Sequence, residues 1–163
     1  MMGQMADLAR SLGVSLWVCP AKEGILKETG ETNKESLASR ESEQQAAREL
    51  LGLKKKGYPI NNSRAYLQRY LLNRTPYVCR VPFVSVTVTP EGNVTNCSNY
   101  DRPFGNVRTS PFDEIMKKWD RREAANITKG CWKCNNPDVI DTSFIWELRL
   151  EPSWNLLRAF RPK

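Results

Sequence analysis

Histidine is missing from all 163 residues. That absence removes imidazole as a general base, a proton shuttle and a metal ligand, so His-dependent triads, dyads and mixed Cys–His zinc sites are excluded. No apolar run approaches the roughly 20 residues that a membrane-spanning helix needs, so no membrane partner is expected. The opening Met1-Met2-Gly3-Gln4-Met5-Ala6-Asp7 shows neither the basic nor the apolar region of a secretory leader, and a cytoplasmic location is expected. In that reducing compartment clustered thiols favour metal over disulfide. Acidic residues are the scarcer sign, 18 against 25 basic, for a net charge of +7. Such an excess invites a nucleic-acid partner, yet the basic residues are scattered. Only Lys54-Lys55-Lys56 forms a run, just after an expected helix whose C-terminus suits cations. A generally basic, solvated surface is the better reading, and nucleic acid is not expected as a partner.

What is present suits one modest domain with an attached fragment: 40% hydrophobic residues and five Trp supply core material. Met5, Leu8, Ala9 and Leu12 recur at helical spacing, Gly13 stops that helix, and Val14-Ser15-Leu16-Trp17-Val18 is strand-like. A helix-Gly-strand unit is how α/β sheets are built, so residues 1–30 read as the edge of something larger. Residues 31–75 read as a helical linker. One helix is expected from Lys34 to Leu51, capped by Asn33 and followed by Gly52; a second runs from Ser63 to Leu72, capped by Asn62. Tyr66, Leu67, Tyr70 and Leu71 share a face of the second.

Residues 76–163 change character. Valines at 84, 86 and 88 alternate through Phe83–Thr89 as in a half-buried strand, Pro90-Glu91-Gly92-Asn93 supplies a turn, and Val94–Cys97 returns as the partner strand. Ser110-Pro111-Phe112-Asp113 reads as a helix start, with Ile115, Met116 and Trp119 on its apolar face. After Cys134 the chain is apolar enough to pack, through Phe144, Ile145, Trp146, Leu148, Leu150, Trp154, Leu156, Leu157 and Phe160. Together these elements predict an α+β fold: a small β-hairpin, a following helix and a cysteine knuckle.

The cysteines carry the chemistry. Cys79 and Cys97 bracket the hairpin, and Cys131-Trp132-Lys133-Cys134 is a tight knuckle. Thiolates are the usual ligands of iron–sulfur clusters, and four of them complete a [4Fe–4S] or [2Fe–2S] centre. Gly92 lets the hairpin double back, and Gly130 removes a side chain where backbone must approach a metal. Lys129 and Lys133 favour thiolates electrostatically, and Trp132 can shield the centre from water. A structural zinc site with four cysteine ligands is the rival, but such sites commonly use two knuckles and only one is present. Cys131 and Cys134 alone could also form a redox pair. Cys19 reads as a buried strand cysteine rather than a ligand. Asp113, Glu114, Lys117 and Lys118 read as a solvated helix face, and Asp101, Arg102 and Asn106 as loop and turn residues.

The order Cys79, Gly92-x4-Cys97, Phe104-Gly105-Asn106-Val107, Ser110 to Trp119, then Cys131-x2-Cys134 resembles the SPASM/twitch domain, the auxiliary-cluster module of radical S-adenosylmethionine (SAM) enzymes. The resemblance covers about residues 76 to 137. Residues 1–30, with Trp17-Val18-Cys19-Pro20, are similar to the last part of such an enzyme's partial (β/α) barrel. Two departures stand out: the family's Cys-x3-Cys-x2-Cys motif for SAM cleavage does not occur, and no cysteine follows Cys134 to hold a second auxiliary cluster. The resemblance implies one [4Fe–4S] cluster on Cys79, Cys97, Cys131 and Cys134, with no open iron for SAM or substrate.

It therefore implies an electron-transfer or supporting domain that is not catalytic alone. SAM would enter only through a barrel supplied in trans or lost by truncation, and the family's substrates include peptides and small metabolites. The reading from another class is a small zinc-stabilised module that binds protein or nucleic acid.

Overall fold

The structure is a computed structural model that describes residues 2–21, 37–72, 77–97, 103–129, 131 and 134–159. The chain divides into two compact units: residues 1–75 with 135–163, and residues 76–134. Among the described residues no helix is long and apolar enough to cross a membrane. The expected Asn33 cap and the start of its helix at Lys34 fall outside the described residues, as do Asp101, Arg102, Gly130, Trp132, Lys133 and Phe160.

The first unit is helical: α1 (Met2–Ser11), α2 (Arg40–Lys55), α3 (Arg64–Leu71), α7 (Pro137–Trp146) and α8 (Leu150–Ala159). Helix α1 ends where the sequence predicts, with Gly13 in the left-handed region at φ 64°. The expected strand over Val14–Val18 shrinks to one parallel bridge between Leu16 and Ile60. The reason is the partner. Leu16 exchanges main-chain bonds with Pro59 and Asn61, but at Val18 the Asn62 side chain replaces the main chain, accepting from Val18 N at 2.9 Å and donating to its carbonyl at 2.8 Å. Asn62 is thereby fully buried and does not cap α3. Ser63 does, its hydroxyl accepting from Tyr66 N at 3.0 Å.

Helix α2 is capped by Ser39 and runs through Gly52 to Lys55, beyond the stop that glycine suggests. Tertiary packing on α3 through Ala47 and Leu50 outweighs the propensity cost of one glycine. Of the four residues expected to share a face of α3, Tyr66, Leu67 and Tyr70 are buried and Leu71 is half-buried. Of the basic run at the end of α2, Lys54 goes into structure: its Nζ donates to the Ile60 carbonyl at 2.8 Å and pairs with Glu151 Oε1 at 3.2 Å, whereas Lys55 and Lys56 are exposed.

Asp141 of α7 is buried and accepts from both the Ser63 amide and the Ser63 hydroxyl. The C-terminal apolar residues pack only in part: Phe144 is buried, whereas Trp146, Leu148, Leu150, Trp154, Leu156 and Leu157 are exposed. Leu148 sits at φ 58° between α7 and α8, a conformation that leucine rarely adopts.

Burial raises the Asp141 pKa above the ordinary carboxylate range, against the lowering effect of Ser63. The folded state therefore binds this proton more tightly than the unfolded chain, and the contribution to stability grows as pH falls from above the raised pKa toward the ordinary one. Urea titrations across that window should show wild type gaining stability relative to Asp141→Asn at lower pH. A flat difference between the two would assign Asp141 no such linkage.

The second unit contains α4 (Val81–Val84), β1 (Thr87–Val88), β2 (Asn93–Thr95), β3 (Gly105–Asn106), α5 (Phe112–Met116) and α6 (Arg121–Thr128). Helices and this small antiparallel sheet make the chain α+β, as the sequence predicts. The strand expected over Phe83–Thr89 survives only at its end. Pro82, in the first turn of α4, suits a helix start and supplies no amide for a sheet, so Val81–Val84 coil into one helical turn. The sheet runs β1-β2-β3, pairing Thr87 with Thr95, Val88 with Val94, and Val94 with Gly105. Val94, Ile115 and Ala124 are fully buried and form the small core of this unit. Trp119 lies past the end of α5, where its indole N–H donates to the Pro82 carbonyl at 3.2 Å and its ring meets Phe83 edge-on.

Candidate metal centre

All five cysteines are present as thiols. Cys79, Cys97, Cys131 and Cys134 fall in the 76–134 unit, and Cys19 falls in the other. Each of the four is delivered by a different local device. Cys79 is buried two residues ahead of α4. Cys97 is half-buried two residues beyond β2, and Thr95 clamps its peptide: the threonine hydroxyl donates to the Cys97 carbonyl at 3.0 Å and accepts from its amide at 3.3 Å. Cys131 donates its amide to the Thr128 carbonyl at 3.1 Å, which fixes it to the end of α6. Cys134 is buried, and Asn136 just beyond it caps α7 by accepting from Asp138 N at 2.9 Å.

The hairpin that aims Cys97 is built as the sequence predicts at its tip. Gly92 N donates to the Thr89 carbonyl at 2.8 Å, Thr89 N donates to the Asn93 carbonyl at 2.9 Å, and Gly92 adopts φ 89°. This is a three-residue loop whose last member must be left-handed, hence glycine. A β-carbon there would also lie 2.8 Å from Asn106 Oδ1.

Sequence reasoning missed what steadies the tip from the other side. Asn106, on the unforeseen β3, donates to the Glu91 carbonyl at 3.0 Å and to Asn93 Oδ1 at 2.9 Å, while its own Oδ1 accepts from Arg108 N at 2.8 Å. Its role is therefore the turn role that its position suggests. Gly105 beside it leaves room for Ile115, whose Cγ2 would come within 2.6 Å of an added β-carbon. Two further readings change. The helix after Ser110 begins at Phe112 with Pro111 in the cap position, because Ser110 N is drawn to the Asn106 carbonyl. Cys19 is exposed rather than buried, since the strand expected to enclose it is only a single bridge.

Among the described residues no three Cys, Asp or Glu side chains converge as a ready ligand set, so the structure gathers the four cysteines in one unit without bringing them together at one point. The donor chemistry fits an iron–sulfur group: soft thiols, no imidazole anywhere, and partial or full burial at all four positions. Asp113, Glu114, Lys117 and Lys118 are exposed, in keeping with a solvated helix face.

No curated protein and no solved structure matches the chain. A family model does match, over residues 79–135 of the 163, a span that nearly coincides with the compact 76–134 unit. The matching model is that of SPASM, an iron–sulfur cluster-binding domain, and the cysteine-bearing part of this chain is similar to it.

Proposed function

We propose that the 76–134 unit holds one [4Fe–4S] cluster on Cys79, Cys97, Cys131 and Cys134, and serves as the auxiliary module of a radical SAM protein. One observation carries this reading. The family match and the compact unit pick out almost the same residues, and four of the five cysteines lie within them. A bound cluster would supply a one-electron store whose potential depends on charge, hydrogen bonding and solvent exposure. The chain's own part is to present thiolates. Thr95 fixes the Cys97 peptide, the Gly92 turn returns the strand, and the ends of α6 and α7 flank the knuckle.

With four protein ligands the iron has no open position. The role is thus electron transfer or structural support, and SAM cleavage belongs to a barrel acting as the partner. The substrate class of the assembled enzyme is a peptide or a small metabolite. A reducing, cytoplasmic setting keeps the thiols available.

Anaerobic reconstitution with iron and sulfide tests the reading. The expected product is brown, EPR-active on reduction, and carries about four irons and four sulfides per chain, the content of one such cluster. One tightly held zinc per chain, with no iron retained, would instead support a zinc-stabilised binding module.

A further inference from the structure

We infer that Tyr66 and Tyr70 of α3 are positioning residues for the iron–sulfur centre, acting through the backbone carbonyl of Asn135, the residue directly after Cys134. The inference rests on the ligand assignment above. Tyr66 Oη donates to the Asn135 carbonyl at 2.9 Å, and Tyr70 Oη donates to the same oxygen at 3.2 Å. The two hydroxyls lie 3.1 Å apart and the rings meet edge-on at 5.4 Å. The Cys19 thiol approaches this oxygen as well, at 3.9 Å. Both tyrosines are buried.

Two phenols on one carbonyl is more than packing requires. A carbonyl has two lone pairs, and each phenol has one proton to give. With both protons on Asn135 O, its acceptor capacity is full and the peptide plane between Asn135 and Asn136 is pinned. A trans peptide points its C=O and N–H in opposite directions, so pinning the oxygen also fixes where the Asn136 amide points. That amide is two residues from Cys134. Hydrogen bonding around a ligating sulfur is one of the protein's levers on a cluster's potential and retention. Burial, then the neighbouring Tyr70, pushes the Tyr66 phenol far above its ordinary range, so it remains a donor at any working pH.

The test uses the full chain after anaerobic reconstitution. Tyr66→Phe/Tyr70→Phe keeps both rings and deletes both donors. It should take up iron and sulfide, release iron to a chelator roughly 10–100-fold faster than wild type, and show a shifted midpoint potential and EPR g values. Each single Tyr→Phe variant, with one donor left, should fall between. Leu50→Ala is the control, because it loosens the packing of α2 on α3 and leaves both hydroxyls in place. It should leave the potential unmoved. An unchanged potential and release rate in the double variant would overturn the inference, and so would an equal shift in Leu50→Ala. A wild-type chain that takes up no cluster overturns the ligand reading first, and this one with it.

Discussion

Cys134→Ala should yield a chain that fails to keep its iron–sulfur chromophore and whose 76–134 unit loses protection as a whole. The thiol is buried, and under the proposed assignment its removal takes away a ligand rather than a supporting contact. The loss should exceed the roughly 10–100-fold that outer-shell changes cause. Cys79→Ala, Cys97→Ala and Cys131→Ala should behave alike. Metal binding to such a site is linked to folding, so hydrogen exchange across β1, β2 and β3 should speed up with iron loss. Cys19→Ala is the internal control: it lies in the other unit, is exposed, and should leave iron content intact. Iron retained in Cys97→Ala but lost in Cys19→Ala would reassign the ligands.

Gly105→Ala is expected to destabilise the same unit without touching any thiol. Its β-carbon would meet Ile115 Cγ2 at 2.6 Å and Cγ1 at 2.7 Å, contacts that force either β3 or α5 to move. Overpacking of this kind costs about 1–3 kcal/mol. Ile115→Ala errs the other way. It empties a fully buried site and should cost about 2–5 kcal/mol, typical of a large-to-small core change. Combining the two is informative, because the alanine at 115 makes room for the one at 105. The double variant should be more stable than the sum of the single losses predicts. Strict additivity in chemical denaturation would mean that the two residues do not share one packing site.

How much of this was legible in the sequence depended on whether the signal was local. The Gly92 turn, the Gly13 stop and the buried face of α3 follow from residues a few positions apart, and each formed as expected. The family resemblance was legible because it rests on the order and spacing of motifs along the chain, and the family match falls on the same stretch. What failed depended on distant partners. Val14–Val18 has strand composition, yet its neighbour offers an Asn62 amide instead of a continuing main chain, so only one bridge forms. Phe83–Val84 carry strand residues, but Pro82 sets the local backbone first. Strand β3 is two residues long and owes its place to Asn106 reaching Glu91 and Asn93, too little for any periodicity to reveal. The Thr95 clamp was within reach, because a hydroxyl two residues before Cys97 is a recognisable side-chain-to-backbone pattern.

The helical unit is assembled from both ends of the chain, with the cysteine unit inserted between residues 75 and 135. Helices α3 and α7 therefore meet only after the intervening chain has been brought round. The entropy of that closure rises with the effective length of the insert, by about 0.6 kcal/mol for each doubling. A folded, metal-bound insert behaves as a short tether, and an unfolded one as a long loop. Loss of the cluster should then lower the melting temperature of the Ser63–Asp141 junction through the connectivity of the polypeptide alone.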